Sequence, residues 1–228
     1  MSTTRFSHGV TNAPKVSTLG DMGQLDPTKF NTRFDDFHTF LATDWTTTLT
    51  GTGTNALTAG AGGLLLMTTG ALLNNSNFLQ GTPADFLIDI GKAAFFKTKF
   101  TLSDPTLSTF QVGLVITDTT PLDATEGIFF QKDSGSLDVV GTSALGAGAS
   151  ARVSEVIPAA AKTDMTLGFA YNGRGLIRLY VDDRYAASLN VTAETLPASL
   201  LNVSFGVQTG AAVAKTMTMD YILASVER

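Results

Sequence analysis

Leu167–Leu189 reads LGFAYNGRGLIRLYVDDRYAASL. In its middle, Ile177, Leu179 and Val181 fall on one side of an extended chain, and Arg178 and Tyr180 fall on the other. That is the period of two of a strand with one buried face. YNGRG before this run and VDDR after it are built from residues that favour turns. The stretch therefore reads as strands joined by short reversals, with no room for a helix between them.

The same grammar extends outward. FFKTKFTL places Phe96, Thr98, Phe100 and Leu102 on one face and Phe95, Lys97 and Lys99 on the other. FLIDI (Phe86–Ile90), FQVGLVI (Phe110–Ile116), GIFFQ, MTLGFAY, YAASLNV, VSFGV and TMTMDYILASV (Thr216–Val226) are further strand candidates. SDP, TTP and KDSGS punctuate them. Short strands with frequent turn signals indicate an all-β sandwich or barrel, and the lack of alternating long helices argues against a βαβ architecture. Two Gly-rich stretches, GTGTNALTAGAGG (51–63) and GTSALGAGASA (141–151), read as long loops.

DPTKFNTRFDDFHTF leaves two readings open. Asp26 as N-cap and Pro27 at the first helical position would start a helix with Phe30, Phe34 and Phe37 at i, i+4 and i+7. Alternatively, Phe34–Phe40 enters the sandwich as its first strand. Trp45, where the strands begin, reads as core.

Composition narrows the function classes. The chain has 228 residues, enough for one sizeable core, with 43% hydrophobic and 15% charged residues, a globular rather than a disordered balance. A net charge of −5 gives no general attraction to nucleic acid or to an anionic membrane. No cysteine is present, which excludes disulfides, thiol catalysis and Cys-based metal sites. The opening segment has no apolar run of a cleaved secretion signal, and no stretch approaches the length of a membrane span. His8 and His38 stand far apart with no ligand set. GAGASA (146–151) lacks the βαβ setting of a dinucleotide fingerprint. No P-loop and no Gly-x-Ser-x-Gly elbow occurs. Glycoside hydrolysis needs two carboxyl groups about the scissile bond, and Glu126, Glu155, Glu194 and Glu227 are each isolated. No enzyme activity, cofactor or metal is expected.

Residues 167–189 resemble the hairpin of laminin-G and concanavalin-like jelly rolls, with Asp182–Asp183 where Asp-Gly is usual. MTMDYILASVE resembles the closing strand of that fold, and FDDFHTFLATDWTTT its opening. The resemblance covers residues 34–228 and implies a jelly-roll sandwich. The Glu-x-Asp-x-x-Glu strand of the enzymes of this fold is missing, and no calcium-lectin cluster of Asp and Asn can be matched.

The leader, residues 1–33, has no periodic apolar pattern. It resembles the N-terminal arms of tailed-bacteriophage virion proteins, especially head decoration (cement) proteins, through GVTN, TLG and DPTK. That resemblance implies a structural virion protein on the capsid exterior. It would form a homotrimer and clamp neighbouring major capsid subunits through an extended arm, with Phe6, Val10, Val16, Leu19 and Leu25 as spaced anchors. In the arm Arg5, Lys15, Lys29 and Arg33 outnumber Asp21 and Asp26, so a mildly basic arm precedes an acidic body. The alternative is a carbohydrate-binding module of a phage head or tail fibre, touching a glycan of the host surface.

Overall fold

The computed structural model describes residues 28–136, 140–146, 149–154 and 163–228. Its strands are β1 (Phe30–Asp35), β2 (Trp45–Thr50), β3 (Gly53–Thr58), β4 (Leu64–Thr69), β5 (Ser76–Gly81), β6 (Ala94–Leu102), β7 (Ser108–Val115) and β8 (Gly127–Lys132). They continue with β9 (Val140–Leu145), β10 (Ala149–Val153), β11 (Asp164–Tyr171), β12 (Leu176–Val181), β13 (Arg184–Asn190), β14 (Asn202–Thr209) and β15 (Thr216–Glu227).

Two antiparallel sheets face each other as a jelly-roll-like sandwich. The first is eight-stranded, in the order β13-β12-β11-β6-β15-β4-β3, with β1 also paired to β15. The second is seven-stranded, in the order β10-β9-β8-β7-β14-β5-β2. Alternation explains the core between them. Phe96, Phe100 and Leu102 of β6 face Phe110, Val112 and Leu114 of β7, and all six are essentially buried. Phe100 and Phe110 meet edge-to-face with ring centroids 5.1 Å apart, a geometry that suits the ring quadrupoles. Trp45 lies in the same core, edge-on to Phe205 at 5.1 Å.

β15 is the spine of the first sheet. Its N-terminal part pairs with β4, and its C-terminal part with β1. A bulge between Met219 and Tyr221 resets the alternation against β6. It leaves Asp220 and Tyr221 both partly exposed while Met219 and Ile222 are buried. The buried Thr98 hydroxyl donates to the Tyr221 carbonyl at 2.9 Å, which satisfies a backbone group at the bulge.

The quoted hairpin closes as the sequence indicates. Asp182 and Asp183 have φ of 48° and 63°, both in the left-handed region that a two-residue type I′ turn demands and that Asp tolerates. Ile177 and Leu179 are buried. Val181 packs against the core from a half-buried position. Tyr180, on the other side of the strand, is also only 3% exposed, and the Tyr185 ring meets it edge-on.

Several expectations are corrected. The segment around Phe30 forms no helix: Phe30–Asp35 is extended and pairs in register with β15. Phe34 is exposed while Phe37 is buried with φ of 52°, so the phenylalanines share no helical face. Nor does a strand run from Phe34 to Phe40, since β1 ends at Asp35, whose carboxylate accepts from the Phe37 N–H at 2.8 Å. FLIDI makes only a bridge, Phe86 to Leu201. Both Gly-rich stretches contain strands: β3 lies at the edge of the first sheet, and β9 with β10 forms the edge hairpin of the second. Edge strands are held mainly by backbone pairing, so small residues suffice and no apolar period is needed.

Candidate functional site

The arm residues Phe6, Val10, Val16, Leu19 and Leu25 lie outside the described residues, as do Asp26, Pro27 and Glu155. The other glutamates do not converge. Glu126 accepts from the Ala198 and Ser199 N–H groups at 3.1 and 2.9 Å, and Glu227 accepts from the Ala93 N–H at 2.9 Å. His38 makes a surface pair with Asp36 at 3.1 Å. Among the described residues no group of three or more His, Asp or Glu could hold a metal ion.

The structure gathers a different set on the outer face of the seven-stranded sheet. Register fixes its rows. One runs Thr46, Gln80, Ser204, Gly113, Phe129, Thr142 and Arg152 across all seven strands. The next runs Thr48, Phe78, Gly206, Gln111 and Gln131. Seven strands at about 4.8 Å spacing make this face roughly 29 Å wide. Two glycines allow close approach here: a Cβ on Gly206 would collide with the Phe78 ring, and one on Gly113 with the Ile128 carbonyl and the Phe129 Cα and Cβ.

This face is recessed. Gln80, Gln111, Ser204 and Phe78 are at most 1% exposed although they point away from the core. The cover is the connection from β7 to β8, residues 116–126. The Gln80 amide grips it at two points: Nε2 donates to the Asp118 carbonyl at 2.7 Å, and Oε1 accepts from the Asp118 N–H at 2.8 Å. Nε2 also donates to Thr48 Oγ1 at 2.9 Å, and Asn202 Nδ2 donates to Thr117 Oγ1 at 2.7 Å. Ala124 rests on Phe129 and Val115.

Two pits open on either side of this strap. The smaller, 240 Å³, lies over β2, β5 and β14 between Thr48, Phe78, Gln208 and Pro121. The larger, 420 Å³, lies over β8, β9 and β10 and presents Asp123, Gln131, Asp133, Thr142, Ser150 and Arg152. Leu122 and Asp123 border both. Amides, hydroxyls, two carboxylates and one guanidinium provide donors and acceptors in mixed order, a set suited to a neutral polyhydroxylated ligand rather than to a strong anion or cation. None of the strands of this sheet contains an Asp or Glu, so its floor carries no acid.

Sequence reasoning missed this site. One signal was present: Gln80, Gln111, Gln131 and Gln208, every glutamine after Gln24, fall on the outward positions of β5, β7, β8 and β14.

No protein-family model matches the sequence. No curated protein matches it either. Solved structures do match in fold. An endo-1,3-beta-glucanase from Streptomyces sioyaensis aligns with a TM-score of 0.64 at 13% identity over 89% of this chain and 98% of its own. The Emp47p carbohydrate recognition domain aligns at 0.56 and 13% identity over 90% and 99%. The CBM2 module of the evolved Dit of Lactobacillus casei BL23 phage J-1 aligns at 0.58 and 9% identity over 86% and 96%. At these identities the likeness shows the fold: an all-β sandwich of the concanavalin-like jelly-roll type.

Proposed function

We propose that the domain is a carbohydrate-binding module that holds a neutral glycan on the outer face of its seven-stranded sheet. The observation that carries this reading is the recessed floor of amides, hydroxyls and two phenylalanine rings, with no carboxylate on any of its strands. Sugars are bound by hydrogen bonds to their hydroxyls and by apolar contact with their C–H faces, and pockets with a few convergent polar groups supply both. Hydrolysis requires two carboxyl groups set about the bond. The acids here, Asp123 on the strap and Asp133 just beyond β8, line the larger pit rather than its strand floor; the reading is of binding, and turnover is tested separately. The same sandwich serves a glucanase, a carbohydrate recognition domain and a phage CBM2 module, which supports the choice of ligand class.

The test is retention of the full chain on immobilised polysaccharides and host cell walls. Saturable binding that weakens when Gln131 and Thr142 are replaced by Ala supports the reading; no binding to any glycan surface overturns it.

A second reading concerns where the module works. The resemblance of residues 1–33 to virion arms favours a place on a phage particle; since β1 (Phe30–Asp35) belongs to the sandwich, the arm would be the segment before it, seated on the major capsid protein or another virion subunit. Decoration of the capsid exterior and a trimeric state belong to this reading. Its test is co-sedimentation of the purified chain with assembled shells and its mass on and off them.

A further inference from the structure

The strap divides the recessed face. Leu122 and Asp123 form the inner wall of both pits, and the strand between them, β7, lines neither. Between the pits, on the outward face of β7 and β14, lie Gln111 and Ser204, both fully buried. Gln111 Oε1 and Ser204 Oγ have no hydrogen-bond partner there. Gln111 reaches only Gln131 Oε1, through Nε2, at 3.5 Å, too long for a good bond. Buried polar atoms are ordinarily satisfied, and a pair of unpaired ones on one floor calls for an explanation. The outward row of the sheet runs on between the two pits, from Thr48 through Gln111 to Gln131.

We infer that residues 116–126 are a specificity strap. It closes a through-groove into two pits, so that the site takes glycan ends and short oligosaccharides in the larger pit and refuses the interior of a long chain. This rests on the glycan reading above. A chain lying along the floor would cross β7 and would meet Leu122 and Asp123 first. A chain end needs only one pit, and 420 Å³ is within the range of small-ligand pockets. Gln80 is the latch: it is 1% exposed and spends both amide atoms on Asp118. The unpaired floor groups are the part of the groove that the strap withholds.

The experiment uses an array carrying β-linked gluco- and galacto-oligosaccharides beside long, end-blocked polysaccharides of the same linkages. It compares the native chain with Gln80→Ala and with a variant whose residues 119–124 are replaced by a short Gly-Ser link. The expected result is retention of oligosaccharides, but not of end-blocked polymers, by the native chain. The strap variants should gain polymer binding by about tenfold or more, the equivalent of one or two hydrogen bonds recovered by buried groups. Two variants are used so that misfolding of one leaves the other informative. If native and variant chains bind end-blocked polymers equally well, the strap inference is overturned and the glycan reading stands. If no chain binds any saccharide on the array, the glycan reading falls and the strap inference falls with it.

Discussion

Lys215 Nζ lies 2.6 Å from Asp104 Oδ2, with 9% of the lysine side chain and 29% of the aspartate side chain exposed. The pair joins the residue before β15 to the turn after β6. The other carboxylate oxygen of Asp104 accepts from the Thr106 and Leu107 N–H groups at 3.0 Å each. The Lys215 hydrogen bond, followed by these backbone donors, holds the Asp104 carboxyl below its ordinary value. One side chain thus anchors a turn and neutralises a mostly buried ammonium.

Asp104→Asn keeps the shape and removes the charge, which leaves Lys215 unpaired. The expected cost is about 1–2 kcal/mol, less than for a fully buried pair because Asp104 touches water. The sign of the pH effect follows from the lowered value. Asp104 contributes stability above the ordinary aspartate value, about pH 4, and the contribution is lost as pH falls through the lower folded-state value. Urea unfolding across that range checks this: the wild-type curve falls more steeply than that of Asp104→Asn.

Lys132 gives a slope of the same sign at the alkaline end. Lys132 is 4% exposed, and its ammonium donates to the carbonyls of Ser108 and Asp133 at 3.0 Å each. Burial lowers its proton affinity. The unfolded chain therefore holds this proton more tightly than the folded one, so the contribution of Lys132 to stability rises with pH. The rise begins at its lowered value and is complete near the ordinary lysine value, about 10.4. The stability of the wild type relative to Lys132→Met should climb through that alkaline range, and a flat difference would contradict it.

Thr98→Val tests the bulge. The hydroxyl is fully buried and serves the Tyr221 carbonyl, and valine matches its shape without the donor. A loss of about 1–2 kcal/mol is expected, the cost of one buried acceptor left unpaired, read as a lower denaturation midpoint with unchanged slope.

The long alternating strands were legible in the sequence because one face of each is core: β6, β7, β12 and β15 announce themselves through Phe96, Val112, Leu179 and Ile222. The edge strands β3, β9 and β10 were not, since Gly, Ala, Thr and Ser there leave no apolar rhythm. Phe30, Phe34 and Phe37 mimicked a helical spacing that pairing with β15 overrides. The candidate site was illegible for a different reason. Gln80, Ser204, Gln111 and Phe129 are far apart in sequence, and only the β5-β14-β7-β8 register makes them neighbours.

Binding and turnover separate in the larger pit. Gln131→Ala and Thr142→Ala should each weaken glycan retention about threefold to tenfold, the worth of one hydrogen bond, with little change in melting temperature. No polysaccharide should be hydrolysed by the native chain. Reproducible turnover that vanishes in Asp123→Asn or Asp133→Asn would replace the binding reading with an enzymatic one.

The leader and the sandwich can be tested apart. β1 starts at Phe30 and pairs through Asp35 with the closing strand, and Arg228 N donates to the Lys29 carbonyl at 2.8 Å. Deleting residues 2–25 therefore leaves β1 and this closure intact. The melting midpoint of the truncated chain should match that of the full chain. Glycan retention should also be unchanged, because the recessed face belongs to the other sheet. Binding to assembled phage shells should be lost if the leader is a virion arm, since its spaced apolar residues Phe6, Val10, Val16, Leu19 and Leu25 go with the deletion. Calorimetry, the glycan array and shell co-sedimentation on one preparation read the three outcomes together. A truncated chain that still decorates shells would place the contact on the sandwich and end the arm reading, and one that loses glycan binding would tie the leader to the recessed face.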